Sequence, residues 1–195
     1  MDASLAPTIA CALEVEERVA RKAGLRTALV GMGVTRPVPD GPLVSFGFAG
    51  GLVPDLDRGA LLTATRIVSD TGEKLWEGEP IEVDGAQPAV ICSTDRVIDS
   101  PEERLRVAER TGAIAVEMES GKLAATGRLA GTVRAVSDSP DRPLGGLATA
   151  MRPDGSTDWK VVTRSLARDP VTTVRAIVGA QRAMSTLRRA AEGLR

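Results

Sequence analysis

Short apolar runs alternate with stretches of helical periodicity along most of the chain. Runs of small and β-branched apolar residues predict strands at 7–13, 26–30, 43–46, 61–68, 89–92, 112–116 and 132–136. Helical spacing predicts helices at 14–23, 101–110 and 157–168, and a long helix after Pro170. This alternation predicts an α/β fold with a mixed, mainly parallel sheet flanked by helices. We interpret residues 1–195 as one domain.

Composition excludes several classes of function. The net charge is −1, and the aromatic residues are two Trp and two Phe, so we expect no nucleic-acid partner. No apolar run approaches the roughly 20 residues that span a bilayer. The N-terminal residues lack the basic region of a signal peptide, so we expect a cytoplasmic protein.

The chain contains no histidine, which removes Ser-His-Asp catalysis and zinc sites with His ligands. Two cysteines cannot make a zinc site alone, and we predict neither a metal nor a cofactor. Cys11 and Cys92 each lie in a strand-like run, which predicts two buried thiols rather than a disulfide. Carboxylate, hydroxyl, guanidinium and backbone groups remain for chemistry.

Acidic side chains follow two neighbouring predicted strands. Glu117 and Glu119 follow the run at 112–116, and Asp138 follows the run at 132–136. Ligands of open α/β sheets bind beyond the carboxyl ends of the strands. We therefore expect these three carboxylates to converge on one pocket.

Four segments together resemble a known family: 11–16 (CALEVE), 45–52 (SFGFAGGL), 115–120 (AVEMES) and 133–138 (VRAVSD). In this order they resemble the purine nucleoside phosphorylase/nucleosidase superfamily, which includes methylthioadenosine/S-adenosylhomocysteine nucleosidases. The segments 141–144 (DRPL), 151–158 (MRPDGSTD) and 166–170 (LARDP) are similar to its hopanoid-associated branch. The resemblance implies a three-layer nucleoside phosphorylase-like fold, a purine nucleoside substrate, no cofactor and a homo-oligomer. In the hopanoid-associated branch it implies release of adenine from adenosylhopane.

The resemblance also implies roles for the residues near the end of the last strand. Asp138 matches the acid that protonates or hydrogen-bonds purine N7, and Ser137 would orient it. The alternative for Asp138 is a cap on the following turn. Glu119 matches the residue that binds the ribose 2′ and 3′ hydroxyls, and Met118 matches the residue that packs on the sugar.

Three further residues have weaker assignments. Glu117 contacts either the diol or a neighbouring side chain. Glu16 matches the glutamate that activates water in the nucleosidases, although it could also belong to a solvated helix face with Glu14 and Glu17. Arg134 supports either nucleophile, or pairs with a carboxylate.

The glycine-rich segment 45–52 is interpreted as a turn after the third strand. The resemblance implies that Ala49 and Gly50 hold phosphate or the nucleophile through backbone N–H groups, and a plain strand-to-loop turn is the alternative. Val97 and Ile98 match the base-binding backbone segment, with a core strand as the alternative. Methylthioadenosine nucleosidases carry an aromatic residue at this position, and Val97 departs from that pattern.

The segment 34–41 contains two prolines where family members have a helix, so that helix is predicted to be missing. Its loss motivates the alternative of a catalytically degenerate nucleoside-binding protein. Phosphorolysis is another alternative, with phosphate as co-substrate and Arg66 or Arg96 as its ligand. For a lipid-linked substrate, the loop 143–151 and the C-terminal helix would form an apolar wall, and contact with a membrane would be transient.

Overall fold

The computed structural model describes residues 6–142 and 150–194. Its strands are β1 (Thr8–Cys11), β2 (Thr27–Leu29), β3 (Leu43–Gly51), β4 (Leu61–Val68), β5 (Lys74–Glu77), β6 (Ala86–Ser93), β7 (Ala115–Glu117) and β8 (Leu129–Asp138). Its helices are α1 (Glu14–Lys22), α2 (Pro101–Thr111), α3 (Ser120–Ala125), α4 (Trp159–Arg168) and α5 (Pro170–Gly193). The predicted α/β class is confirmed.

The strands form one mixed sheet in the order β2-β1-β3-β7-β6-β4-β5, and β8 pairs with both β3 and β4. Strands β3, β7, β6, β4 and β8 therefore close into a ring. Five of the eight pairings among the described strands are parallel. Strand β3 runs antiparallel to β7 and parallel to β8. Strands β7 and β8 therefore run in opposite directions, and both lie beside the last residues of β3.

The core lies on both faces of the sheet. Ile9 and Cys11 of β1 pack in the cluster that α1 and α5 cover, whereas Ala10 between them packs in the cluster on the opposite face. This alternation follows the two-residue period of a strand. Strands buried on both faces are apolar throughout, and this explains why the apolar runs predicted most of them.

Helix α2 begins where the sequence indicates. The Ser100 side chain accepts a hydrogen bond from the Glu103 N–H, and Pro101 occupies the first turn, where its missing N–H has no cost. Gly112 ends the helix with φ of 69°, a left-handed conformation that favours glycine.

Two predictions about β3 and the glycine-rich segment were wrong. The strand does not end at residue 46 but continues to Gly51, so 45–51 is strand rather than turn. Its glycines still have a purpose, because a Cβ on Gly47 would lie 2.4 Å from Glu16 Oε1. Two short elements, β5 and α3, were not predicted from the sequence.

The linker 34–41 contains neither helix nor strand, as its two prolines predict. Cys11 and Cys92 are buried and unbonded, and burial raises the pKa of the Cys92 thiol to about 12. No helix within the described residues is long and apolar enough to cross a bilayer.

Candidate active site

A cavity opens where the ends of β1, β3, β6, β7 and β8 come together. It encloses about 670 Å³, counting its open mouth. The predicted site residues on its wall are Glu16, Ala49, Gly50, Val97, Ile98, Glu117, Met118, Glu119, Ser137 and Asp138. Arg134 is the exception among the predicted residues, since it lies behind the carboxylates. The expected convergence of the carboxylates is therefore present in the structure.

The position of Gly50 explains why the carboxylates converge. In the strand register Gly50 pairs with Val116 of β7 on one side and with Asp138 of β8 on the other. The register shifts between Ala49 and Gly50, which is where β8 ends. The last residues of β3 therefore bring the acidic segments after β7 and at the end of β8 to one place.

Asp138 is buried at this junction and is held through both carboxylate oxygens. Ser137 Oγ lies 2.5 Å from Oδ1 and donates to it. Arg104 Nη2 lies 2.5 Å from Oδ2 and forms a buried ion pair with it. The Asp138 carboxylate is therefore fixed in the cavity wall by a hydroxyl on one oxygen and a guanidinium on the other.

Arg104 is a cavity residue that the sequence analysis missed. Its Nε donates to the Ile98 carbonyl at 2.8 Å and its Nη1 to the Gly51 carbonyl at 3.1 Å. One buried guanidinium thus connects Asp138, the end of β3 and the segment matched to base binding. The available signal was its position three residues before Val107 on α2, since both face inward.

Glu117 is enclosed by donors from its own turn and from β8. It accepts from the Glu119 N–H at 3.0 Å, from the Ser120 N–H at 2.9 Å, and from the Arg134 guanidinium. Burial raises the pKa of Glu117, but the charge and hydrogen bond of Arg134 outweigh burial and hold the pKa below its ordinary value. Glu117 therefore contacts neighbouring groups, the second of the two predicted options.

Arg134 also contacts Ser45 Oγ and lies 3.6 Å from Glu119. Its guanidinium therefore faces buried carboxylates and a hydroxyl of β3. This arrangement matches the predicted option in which Arg134 pairs with a carboxylate.

Glu119 differs from Glu117 in its environment. It accepts from the Gly33 N–H at 2.9 Å, which ties the cavity to the segment after β2. Burial and the negative charge of Glu117 raise the pKa of Glu119 to about 7, against the opposing effect of Arg134. Near neutral pH this group is divided between a hydrogen-bond-donating carboxylic acid and a carboxylate.

Glu16 is buried, whereas Glu14 is exposed and Glu17 is half-buried. Its carboxylate accepts from the N–H groups of Leu13 at 2.9 Å and Phe48 at 2.8 Å, and from a third at Ala12. Burial raises the pKa of Glu16, although these hydrogen bonds lower it. The solvated-face alternative was therefore wrong for Glu16, which caps α1 and faces the cavity.

The rest of the wall is mostly apolar. Val97 is 44% exposed and lies in a loop, so its core-strand alternative was wrong, whereas Ile98 is buried. Met32 and Phe48 lie on the wall beside the predicted Met118. Met151 is the part of the predicted apolar wall that reaches the cavity. The rest of that loop, 143–149, lies outside the described residues, and neither α4 nor α5 lines the cavity.

The arginines of the wall are already paired. Arg104 faces Asp138, and the exposed Arg96 pairs with Glu103. Arg66 pairs with Glu77 on the exposed β4–β5 hairpin, outside the cavity. Across 6–142 and 150–194, no three His, Cys, Asp or Glu side chains gather as a metal site would require.

Comparison with known proteins shows the fold. No protein-family model matches this sequence, and no curated protein sequence matches it either. A 5′-methylthioadenosine/S-adenosylhomocysteine nucleosidase of Helicobacter pylori is similar in structure, with 16% identity and a TM-score of 0.58 over 97% of this chain and 96% of that chain. Futalosine hydrolase of the same organism has 14% identity and a TM-score of 0.56, over 98% and 97%.

A methylthioadenosine/S-adenosylhomocysteine nucleosidase of Neisseria meningitidis, in complex with methylthio-immucillin-A, has 19% identity and a TM-score of 0.55, over 89% of this chain and 98% of that chain. The chain thus has the α/β fold of the nucleosidases. This confirms the fold that the four sequence segments indicate.

Proposed function

We propose that this protein hydrolyses the N-glycosidic bond of a purine nucleoside, with adenine as the leaving base. The observation that carries the proposal is the gathering of Glu16, Glu119 and Asp138 around one largely apolar cavity, on a nucleosidase fold. Each carboxylate is buried, and hydrogen bonds or an ion pair fix its orientation. Preorganised charge of this kind is what stabilises a cationic transition state.

In the proposed reaction the bond between C1′ and N9 breaks, and its electron pair goes to the base. Asp138 faces N7 and shares a proton with it, so that the base leaves as a neutral species. Ser137 and Arg104 keep the carboxylate in one rotamer. The proton on Asp138 comes from solvent, and the proton that Glu16 takes from water returns to solvent, so protons balance over the reaction.

The sugar is held on the opposite side of the cavity. Glu119 accepts hydrogen bonds from the ribose 2′ and 3′ hydroxyls, and its charge stabilises the cation developing at C1′. Met118 shields the sugar face. Glu16 takes a proton from the water whose oxygen bonds to C1′, which completes the hydrolysis.

Two observations support water over phosphate. The arginines of the described wall, Arg96 and Arg104, are both paired with carboxylates. In addition, the Phe48 N–H, which lies in the segment matched to phosphate binding, already donates to Glu16. A dianion entering this cavity would meet Glu16, Glu117 and Glu119 without an unpaired cation to balance them.

The degenerate-protein alternative rests on the missing helix at 34–41. Gly33, immediately before this linker, still donates to Glu119. Lys122 of α3 donates to the Gly33 carbonyl at 2.9 Å and keeps the same turn in place. The site is therefore supported at the point where the shortened segment could have disrupted it.

The two candidate substrates differ in the substituent at the ribose 5′ position. A methylthioadenosine-like substrate follows from the fold comparison, and adenosylhopane follows from the sequence resemblance. Met32 and Met151 give the wall flexible apolar surface that suits a thioether or alkyl group. A cytoplasmic location, which two unbonded thiols favour, and a homo-oligomer remain predictions.

The test is adenine release from adenosine, methylthioadenosine and adenosylhopane, with and without phosphate. We expect phosphate-independent release, and a kcat about 100-fold or more lower in Asp138→Asn. Asp141→Asn, an exposed carboxylate three residues away, is the matched control. Release that requires phosphate would replace hydrolysis by phosphorolysis, and no release from any substrate by a folded parent would favour the binding-protein alternative.

A further inference from the structure

An exposed apolar surface lies on α4 and the first half of α5. Eight large apolar side chains among the described residues are more than a third exposed, and five of them belong to this surface: Trp159, Leu166, Val171, Val174 and Val178. Trp159 is the most exposed of all, at 71%. No residue of α4 is fully buried. A patch of this kind on a folded protein indicates an interaction site.

The sequence of α4 is strongly amphipathic. Trp159, Val162 and Leu166 follow i, i+3, i+7 spacing and share one side of the helix. The basic residues follow i, i+4, i+8 spacing on the other side: Lys160, Arg164 and Arg168. On α5, the exposed Val171, Val174 and Val178 have the same i, i+3, i+7 spacing and share one side of that helix.

The charge of this surface is opposite to that of the whole chain. Residues 159–182 contain five basic side chains and one acidic side chain, whereas the chain has a net charge of −1. The acidic residue is Asp169, which accepts a hydrogen bond from the Thr172 N–H as the cap of α5. The basic side chains at 160, 164, 168, 175 and 182 are all exposed, and no carboxylate of residues 6–142 or 150–194 lies within ion-pair distance of them.

We propose that α4 and residues 170–182 dock on the surface of an anionic lipid bilayer. A helix with Trp and Leu on one side and Lys and Arg on the other lies in the interfacial plane of a membrane, with its apolar side among the acyl chains and its basic side at the headgroups. Charge complementarity selects this occupant over a second copy of the chain. Two such faces would bring like charges together, and that opposes self-association.

The surface is connected to the rim of the cavity. Met151, on the cavity wall, forms a β-bridge with Thr157. Asp158 then caps α4 by accepting from the Lys160 N–H, and its own N–H donates to the Ala150 carbonyl at 2.7 Å. Docking through α4 would therefore hold the mouth of the cavity close to the bilayer. The docking itself does not depend on the proposed hydrolysis.

Trp159 provides the readout, since the chain has only one other tryptophan. Trp76 is half-buried and donates to the Leu129 carbonyl, so a Trp76→Phe background leaves Trp159 as the reporter. The probes are vesicles of pure phosphatidylcholine and vesicles that also contain phosphatidylglycerol. We expect a blue shift of the emission and co-sedimentation with the anionic vesicles, both reversed by high salt.

Neutralising the basic side should remove the binding. Each Lys or Arg at an anionic surface contributes about fivefold to partitioning, so Lys160→Gln, Arg164→Gln and Arg168→Gln together should lower it about 100-fold. The control replaces three exposed basic residues elsewhere, Lys22, Lys74 and Arg106, by Gln. Far-UV circular dichroism checks that each variant is folded.

Three results would overturn the proposal. The first is failure of the folded parent to bind anionic vesicles, and the second is equal binding by the two triple variants. The third is a concentration-dependent dimer in analytical ultracentrifugation that Trp159→Ser dissociates, because a second copy would then cover this surface.

Discussion

Arg104 Nη2 and Asp138 Oδ2 lie 2.5 Å apart, and each side chain is only 2% exposed. Arg104 comes from the inward side of α2 and Asp138 from the end of β8, so this ion pair joins two elements across the cavity wall. Removing one partner of a buried pair leaves an uncompensated charge, whose burial is unfavourable. The pair is therefore both a structural connection and the immediate environment of the proposed acid.

This relationship predicts non-additive stability effects. We expect Arg104→Met and Asp138→Asn each to lower the free energy of unfolding by about 3 kcal/mol. The double variant should lose clearly less than the sum, because neither charge then remains buried alone. Urea denaturation of the four proteins measures the coupling. Additive losses would show that the two side chains do not interact in solution.

Glu119 predicts a pH dependence of stability. Its pKa of about 7 in the folded protein exceeds the value of about 4.3 for an unfolded glutamate. The unfolded state therefore loses its proton first as the pH rises, and Glu119 destabilises the fold progressively between about pH 4 and pH 7.

Glu119→Gln removes this ionisation but keeps an oxygen that can accept from the Gly33 N–H. The variant and the parent should have similar stability near pH 4. At pH 8 the variant should be the more stable, by up to about 4 kcal/mol. Thermal unfolding over this range is the measurement, and a constant difference between the two proteins would contradict the assignment. Under the proposed function the same variant binds the ribose diol less well and has a higher KM.

A substitution at Gly47 can displace the Glu16 side chain while Glu16 itself stays unchanged. A Cβ at this position would lie 2.4 Å from Glu16 Oε1 and 2.6 Å from its Cδ. Because Glu16 is enclosed by backbone donors, Gly47→Ala should force it out of its position and lower the unfolding free energy by about 1–3 kcal/mol.

If Glu16 activates water, kcat should fall about 100-fold in the same variant. Gly193→Ala is the matched control, since its Cβ would meet only Val83, at 3.6 Å. A Gly47→Ala protein that is folded and fully active would remove Glu16 from the proposed mechanism.

Apolar patterning predicted the strands well because most of them are buried on both faces. β4 was predicted with the bounds that the structure shows, Leu61–Val68. β3 was cut short because its glycines, 47, 50 and 51, are typical of turns, whereas here they make room for Glu16 and the Arg104–Asp138 pair. β5 was missed because it is a four-residue strand without a buried residue.

The carboxylates of the site were predictable from their places at strand ends, but their partners were not. The hydrogen bond from Gly33 to Glu119 joins residues 86 positions apart, and no local pattern indicates such a contact. Arg104 lies in a helix rich in charges, where a single inward arginine resembles its solvated neighbours. Arg104 and Gly51 are 53 positions apart along the chain, so the hydrogen bond between them could not be predicted from a local pattern either.

Val97 predicts that the affinity for a purine can be increased. It is exposed, lies on the cavity wall, and occupies the position where the resembling nucleosidases have an aromatic residue. Stacking of a base on an aromatic side chain contributes about 1–3 kcal/mol. Val97→Phe should therefore lower the KM for methylthioadenosine by about 5-fold or more, with little effect on kcat. Val174→Phe, which changes a valine on α5 that is also about half exposed, should leave both constants unchanged. Steady-state kinetics of the three proteins measures the difference, and an unchanged KM in Val97→Phe would mean that the base does not lie against residue 97.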